Sequence, residues 1–221
     1  FKLFESPSKN VLASGLIERI GLDDSIITIK YNNKKYREVQ AIKDHTAAVD
    51  LLLQLLKKLN IVTDLNEINA VGHRVVAGGE YFKKSVPIDS SVIEKIEDII
   101  ELAPLHNPAN LVGIKVFKKL LPNALSVAAF DTAFHQTLPK ENFMYSTPYE
   151  WYKNYGVRRY GAHGISHRYV SLRAAKLMGK PVEDLKLVTC HLGAGASITA
   201  VKNGKSFDTS MGFTPLTGIQ M

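Results

Sequence analysis

The spacing of apolar positions divides the chain into alternating short strands and helices. Residues 26–31 carry the β-branched run Ile26, Ile27, Thr28 and Ile29 and predict a strand. Asn32-Asn33 supplies a turn, and residues 35–39 return as the partner. Residues 16–20 fit a short helix and a strand equally well. Val49, Leu52, Leu53, Leu56 and Leu59 recur at helical spacing over 46–59, with Thr46 as the expected N-cap. Residues 68–76 read as a buried strand ending at Gly78-Gly79. Val92, Ile93, Ile96, Ile99 and Ile100 form one stripe of a helix over 90–103, which Pro104 and Pro108 break. A helix over 110–121 stops at Pro122-Asn123, and a buried strand over 125–130 runs into Asp131. Strands alternating with helices from 61 to 131 predict an α/β architecture with a partly parallel sheet.

A second region follows. Residues 139–160 are rich in Tyr, Phe, Pro and Asn without periodicity and read as a long ordered connection. A helix over 166–178 stops at Gly179-Lys180-Pro181. Strands are expected over 185–192 and 197–201, separated by Gly193-Ala194-Gly195, and Asn203-Gly204 turns the chain back into 206–208. The domain change is placed just after Asp131, and no internal repeat is visible. Phe1-Lys2-Leu3-Phe4 alternates like a strand in progress and Gly218-Ile219-Gln220-Met221 lacks a helix stop, so both ends are expected to be cut ends. No targeting signal is visible.

Composition narrows the class. Of 221 residues, 45% are hydrophobic and 22% charged, which excludes a disordered or collagen-like chain. No apolar run approaches the roughly eighteen residues of a membrane helix. The single cysteine, Cys190, excludes an intrachain disulfide and fits a reducing compartment. Lys and Arg total 28 against 21 Asp and Glu, a net charge of +7 that would suit an anionic ligand. The basic residues are scattered or in short pairs, with no arginine-rich arm, so a solvated lysine-rich surface is the preferred explanation. A nucleic-acid-binding module is the rival from another class, and it leaves Arg74, Asp131 and His163 without a role.

Several residues could carry chemistry. Two glycines in Gly193-Ala194-Gly195 let backbone N–H groups converge on an anion, although taken alone an ordinary glycine hairpin is the preferred reading. Arg74, at the end of an apolar strand, calls for a carboxylate or phosphate partner. Asp131 ends a strand at the edge where α/β folds bind ligands, and could hold Mg²⁺, orient a nucleophile or merely cap a turn. His163 and His167 are four apart, but Gly164 lies between them and no acidic third ligand follows. His163, on a glycine turn before a helix, is better placed to donate to a phosphoryl group. His106, boxed by Pro104 and Pro108, is functional or a brace. His45 and His135 carry no functional argument.

Taken together these segments resemble one family. Gly72-His73-Arg74-Val75-Val76 with Gly78-Gly79-Glu80, then Leu102-Ala103-Pro104-Leu105-His106-Asn107-Pro108, are similar to acetate kinases. So are Phe130-Asp131-Thr132-Ala133-Phe134-His135, Tyr160-Gly161-Ala162-His163-Gly164 with Ser166-His167, Cys190-His191-Leu192-Gly193 with Gly195, and residues 208–216. The resemblance implies an actin-like ATPase (ribonuclease H-like) two-domain α/β fold, mixed sheets flanked by helices, incomplete at both termini. Its domains would be 1–132, an N-terminal α/β domain, and 133–221, the start of a nucleotide-binding domain. It implies reversible in-line transfer of the ATP γ-phosphoryl group to acetate, giving acetyl phosphate and ADP, with Mg²⁺ or Mn²⁺. Propionate or butyrate kinase is the alternative within the class, and a catalytically silent fragment is another. The resemblance further implies a cytoplasmic homodimer when full length, with no nucleic-acid or membrane partner.

By motif, Arg74 grips the carboxylate or the phosphoryl group, Asp131 supports the metal and positioning, and His163 stabilises phosphoryl oxygens. His191, Leu192, Gly193, Ala194 and Gly195 would meet nucleotide phosphates. His106 would lie near the substrate, and Val76, Leu105, Ala162 and Pro215 would form the acyl pocket. Four positions depart from the family pattern: histidine is usual at Ala77, phenylalanine at Ala162, threonine at Ile165 and asparagine at Ala194. Ala162 is expected to enlarge the acyl pocket, and Ala194 leaves nucleotide contacts there to backbone groups. The family also has a phosphate loop before the segment matching Phe1. Beyond Met221 it has a second active-site arginine, an adenosine-binding glycine segment and a late glutamate. The 221-residue chain by itself is therefore expected to have little or no turnover.

Overall fold

The computed structural model describes residues 1–219; Gln220 and Met221, part of the chain end considered above, lie outside the described residues. Strands β1 (Lys2–Phe4), β2 (Val11–Glu18), β3 (Ser25–Tyr31) and β4 (Lys34–Gln40) come first, followed by helix α1 (His45–Lys58). The order continues β5 (Ala70–Val75), β6 (Val86–Pro87), α2 (Ser90–Asp98), α3 (Asn107–Leu120) and β7 (Leu125–Phe130). Then come α4 (Lys140–Phe143), α5 (Tyr149–Tyr155), α6 (Gly164–Met178), β8 (Lys186–Leu192), β9 (Ala196–Lys202) and β10 (Lys205–Thr209). The α/β expectation is met. No helix among the described residues is long and apolar enough to cross a membrane.

The chain forms two compact units. The first comprises Phe1–Val71 and Val112–Ser126. Its four-stranded sheet has order β1-β2-β3-β4, antiparallel throughout. The region over 16–20 resolves as strand because Gly15 to Glu18 pair in register with Ile29 to Ile26, which a short helix could not do. Asn32 and Asn33 both have positive φ, as a two-residue hairpin between twisted strands requires. Alternate residues Ile27 and Ile29 turn inward and pack with Leu52, Leu53, Leu55 and Leu56 of α1, Val62 and Leu121. Burying each such side chain stabilises by about 1.5–3 kcal/mol.

The second unit comprises Gly72–Leu111 and the chain from Val127 onward. Its three-stranded sheet has order β10-β9-β8, antiparallel, with β9 and β10 joined at Asn203-Gly204, again both at positive φ. A further sheet has order β5-β7-β6. The Leu125 N–H donates to the Asn69 carbonyl at 2.9 Å and the Asp131 N–H donates to the Val75 carbonyl at 3.0 Å. Those two bonds, at either end of the pair, require β5 and β7 to run in the same direction. Their C-terminal ends therefore lie side by side. Phe130 is buried there and stacks on Phe82 with ring centroids 4.1 Å apart.

Helix boundaries are where the pattern misleads. Thr46 lies inside α1; the cap is Asp44, whose carboxylate accepts from the Ala47 N–H at 2.8 Å. A carboxylate also complements the positive end of the helix. The helix expected over 90–103 ends at Asp98 and tightens into a 3-10 turn at Ile100–Leu102. Helix α3 begins at Asn107, with Pro108 in its first turn, where its missing N–H has no partner to lose. The connection over 139–160 contains the short helices α4 and α5.

The cap assignment has a direct test in equilibrium urea unfolding. Asp44→Ala is expected to cost about 1 kcal/mol, whereas Thr46→Ala should change stability by less than about 0.5 kcal/mol.

Candidate active site

The site begins at the paired ends of β5 and β7. Arg74, the penultimate residue of β5, reaches Asp131, the first residue after β7. Its Nε and Nη2 both donate to Asp131 Oδ2, at 3.0 and 2.5 Å. The Asp131 side chain is 3% exposed and the Arg74 side chain 61%. A buried carboxylate is costly unless paired, so Arg74 compensates it while keeping much of its own surface open to a ligand.

Asp131 also holds the start of α6. Its carbonyl accepts from the Gly164 N–H at 2.8 Å. A Cβ on Gly164 would lie 2.3 Å from that carbonyl oxygen, so the approach needs glycine. His163 precedes it with φ 59 and ψ 20, the left-handed region. That conformation costs on the order of 1 kcal/mol for a residue with a side chain, and it directs the imidazole toward β8 and β9. His163 stacks on His191 with centroids 4.0 Å apart, and its Nδ1 shares a 2.8 Å hydrogen bond with Ser197 Oγ. His191 Nδ1 bonds to Ser166 Oγ at 2.9 Å.

Electrostatics favour a neutral His163. Burial is the largest cause pushing its pKa below the ordinary value, His191 and Arg74 add to it, and Asp131 opposes. His135 and His167 are fully buried and are pushed down to about 4 and about 3, chiefly by burial. His135 Nε2 meets the Ala162 carbonyl at 2.9 Å and so must carry the proton there; its Nδ1 then accepts from Ser206 Oγ at 2.8 Å.

The remaining sequence-predicted residues are distributed unevenly. Val76 is buried with Ala77 and Ala103, against which half-buried Leu102 packs, and Ala162 is buried as well. Leu105 is 87% exposed and Pro215 is also exposed, so the four proposed acyl-pocket residues are split between core and surface. His106 is exposed just before α3. Leu192, at the end of β8, and Gly193 and Ala194, in the turn to β9, are exposed, with Gly195 half-buried. The structure thus joins Arg74, Asp131, His163 and His191 into one cluster.

Sequence reading missed the side chains that pin this cluster. The Ala77 N–H donates to Asn107 Oδ1 and Asn107 Nδ2 donates to the Ala77 carbonyl, both at 3.1 Å. The Val76 N–H donates to Asn110 Oδ1 and the Gly78 N–H to Thr132 Oγ1. Ser197, wholly buried, joins His163 to His167. Buried Arg158 donates to Glu80 at 2.5 Å and lies 3.8 Å above the Phe143 ring. Asn107 and Asn110 stand three apart at the start of a helix, a visible spacing, but partners thirty or more positions away give no local signal.

Comparison with known proteins identifies the group. A family-level match to the acetokinase family covers residues 1–221. The chain belongs to that family. It is 63% identical over 222 residues to the acetate kinase of Fructilactobacillus sanfranciscensis, covering all of this chain and 56% of that protein. Its structure resembles a crystal structure of Porphyromonas gingivalis acetate kinase, with a TM-score of 0.93 and 47% identity. It also resembles that of a propionate kinase from Francisella tularensis, with a TM-score of 0.94 and 42% identity. Both structural matches cover 100% of this chain and 56% of the other. The chain thus spans about half the length of the relatives it matches, and its fold is the actin-like ATPase type of the family.

The buried histidines make stability depend on pH. Unfolded histidine binds a proton near pH 6.5, whereas folded His135 and His167 stay neutral down to about 4 and about 3. The unfolded chain therefore binds more protons between these values, and stability falls as pH drops from about 6.5 toward 5. Urea midpoints measured across that window should show an uptake approaching two protons on unfolding. His135→Asn should remove about one of them.

Proposed function

We propose that the whole protein is an acetate kinase, moving the γ-phosphoryl group of ATP reversibly to acetate. A carboxylate oxygen of acetate forms the new P–O bond as the bond from phosphorus to the β,γ-bridging oxygen breaks, leaving ADP. Such transfer asks mainly for positioning and for cationic or hydrogen-bond-donating groups around three oxygens. The observation that carries this reading is the Arg74–Asp131 pair beside His163. In it Arg74 binds the acetate carboxylate or the moving phosphoryl group, and His163 stabilises charge on the phosphoryl oxygens. Asp131 holds Arg74 through its carboxylate and the start of α6 through its carbonyl. His191 and the turn over 192–195 meet nucleotide phosphates, and Val76, Leu105, Ala162, Pro215 and His106 surround the acyl group.

The family's divalent metal, Mg²⁺ or Mn²⁺, fits this chemistry. No group of three or more metal-ligating side chains occurs among the described residues. Mg²⁺ bound to substrate phosphates needs only one or two carboxylates, and Asp131, buried but with Oδ1 outside the Arg74 contact, would support it. When bound, the ion would neutralise charge on the β- and γ-phosphates. The same reading makes the protein a cytoplasmic homodimer acting on small molecules, not on nucleic acid or membranes. It also divides the sequence into an N-terminal domain over 1–132 and a nucleotide-binding domain from 133.

A second reading, propionate kinase, is favoured by the small buried side chain of Ala162. Each buried methylene is worth about 0.8 kcal/mol, so acyl discrimination should be modest. In the whole protein, ATP-dependent acyl phosphate formation should proceed with acetate, and Asp131→Ala should lower kcat by roughly 10²- to 10³-fold. Ala162→Phe is expected to raise the acetate-to-propionate ratio of kcat/KM several-fold. Absence of turnover with either acid would overturn the proposal, and a higher kcat/KM for propionate would select the second reading.

A further inference from the structure

Three hydrogen bonds of equal length run in series beneath His163. Thr189 Oγ1 meets His167 Nδ1, His167 Nε2 meets Ser197 Oγ, and Ser197 Oγ meets His163 Nδ1, each at 2.8 Å. Ser197 and His167 are wholly buried and Thr189 nearly so. A hydroxyl carries one proton and can accept twice, and a neutral imidazole carries one N–H. Among the described residues the Ser197 hydroxyl has no acceptor other than the two ring nitrogens. It therefore donates to one ring and accepts from the other, and the direction of one bond sets the rest. In one direction Thr189 donates to His167 Nδ1, His167 Nε2–H donates to Ser197, and the Ser197 hydroxyl donates to His163 Nδ1. The proton of His163 then sits on Nε2. The opposite direction requires Thr189 to turn its hydroxyl to the Thr199 carbonyl, 3.4 Å away. That is beyond the roughly 2.5–3.0 Å range of a good O–H···O bond, and it would forgo a ring nitrogen at 2.8 Å.

We propose that Ser197, oriented by His167 and Thr189, is a positioning residue that fixes His163 as its Nε2–H tautomer, so that a neutral imidazole offers a hydrogen-bond donor to a phosphoryl oxygen. The use of that donor rests on the kinase reading above; the tautomer does not. Because burial, His191 and Arg74 keep His163 toward the neutral form against the pull of Asp131, the ring can donate to an anion only through the N–H its tautomer supplies. The nearby histidines have partners of their own: His135 spends its Nε2–H on the Ala162 carbonyl, and His191 Nδ1 is engaged by Ser166.

Long-range ¹H–¹⁵N correlation of histidine-labelled whole protein, free of nucleotide at neutral pH, reads the tautomer directly. His163 should show a protonated Nε2 and a lone pair on Nδ1. Ser197→Ala should move it to a mixture, and Ser197→Thr, which keeps a hydroxyl, should restore it. If Ser197→Ala does not fold, Thr189→Val breaks the series at its far end and should give the same change. In the kinase assay Ser197→Ala should lower kcat about 10-fold, by analogy with the outer hydrogen-bond partners of metal-ligating histidines, with KM for ATP within about 2-fold. A protonated Nδ1 in the unaltered protein, or an unchanged tautomer in Ser197→Ala and Thr189→Val, would overturn the proposal. The expected tautomer in a protein without kinase turnover would support the series and overturn the kinase reading instead.

Discussion

A buried carboxylate that must be paired governs the site. Asp131 lies at the end of an apolar strand where solvent cannot stabilise its charge, and the guanidinium of Arg74, from the adjacent strand end, is bonded to it. The cost of burying one charge is met by a partner that remains largely open to ligand. The same residue, through its backbone carbonyl, fixes Gly164 and so the left-handed turn that aims His163. Removing the side chain would release Arg74 while leaving the carbonyl bond in place, so the two functions of Asp131 are separable in principle.

Around this point the chain uses small polar side chains as struts. Asn107, Asn110 and Thr132 bind three successive N–H groups after β5, at Ala77, Val76 and Gly78. A segment that leaves a strand without entering a helix would otherwise bury unpaired amides, each costing about 1–3 kcal/mol. On the other side, Thr189, His167 and Ser197 form a polar file with no charge in it. Rigid neutral supports of this kind hold a functional group without adding the like-charge repulsion that further cations would bring beside Arg74.

Much of the fold was legible in the chain because its signals are local. Residues 26–29 form a β-branched run, Asn32-Asn33 and Asn203-Gly204 mark hairpins, and the leucines of α1 repeat at helical spacing. Thr46 misled because the better cap, Asp44, lies two residues earlier and outside the apolar pattern. Residues 16–20 were ambiguous because only pairing with β3 decides between helix and strand. The residues of the cluster, Arg74, Asp131, His163 and His191, stood out by type and by motif. Their supports did not, since Asn107, Thr132 and Ser197 act across 30, 54 and 34 positions of sequence. The acyl-pocket expectation rested on motif alone, and the exposure of the residues it named ranges from buried Val76 to the open Leu105.

In the proposed reaction the guanidinium of Arg74 and the imidazole of His163 act on one phosphoryl group as a unit held by Asp131. The most direct measurement is a double-mutant cycle on kcat/KM in the whole protein with Arg74→Ala, His163→Ala and the pair. A double variant scarcely worse than the more damaged single variant is the predicted result, as for groups that act together. Losses that simply multiply would contradict it.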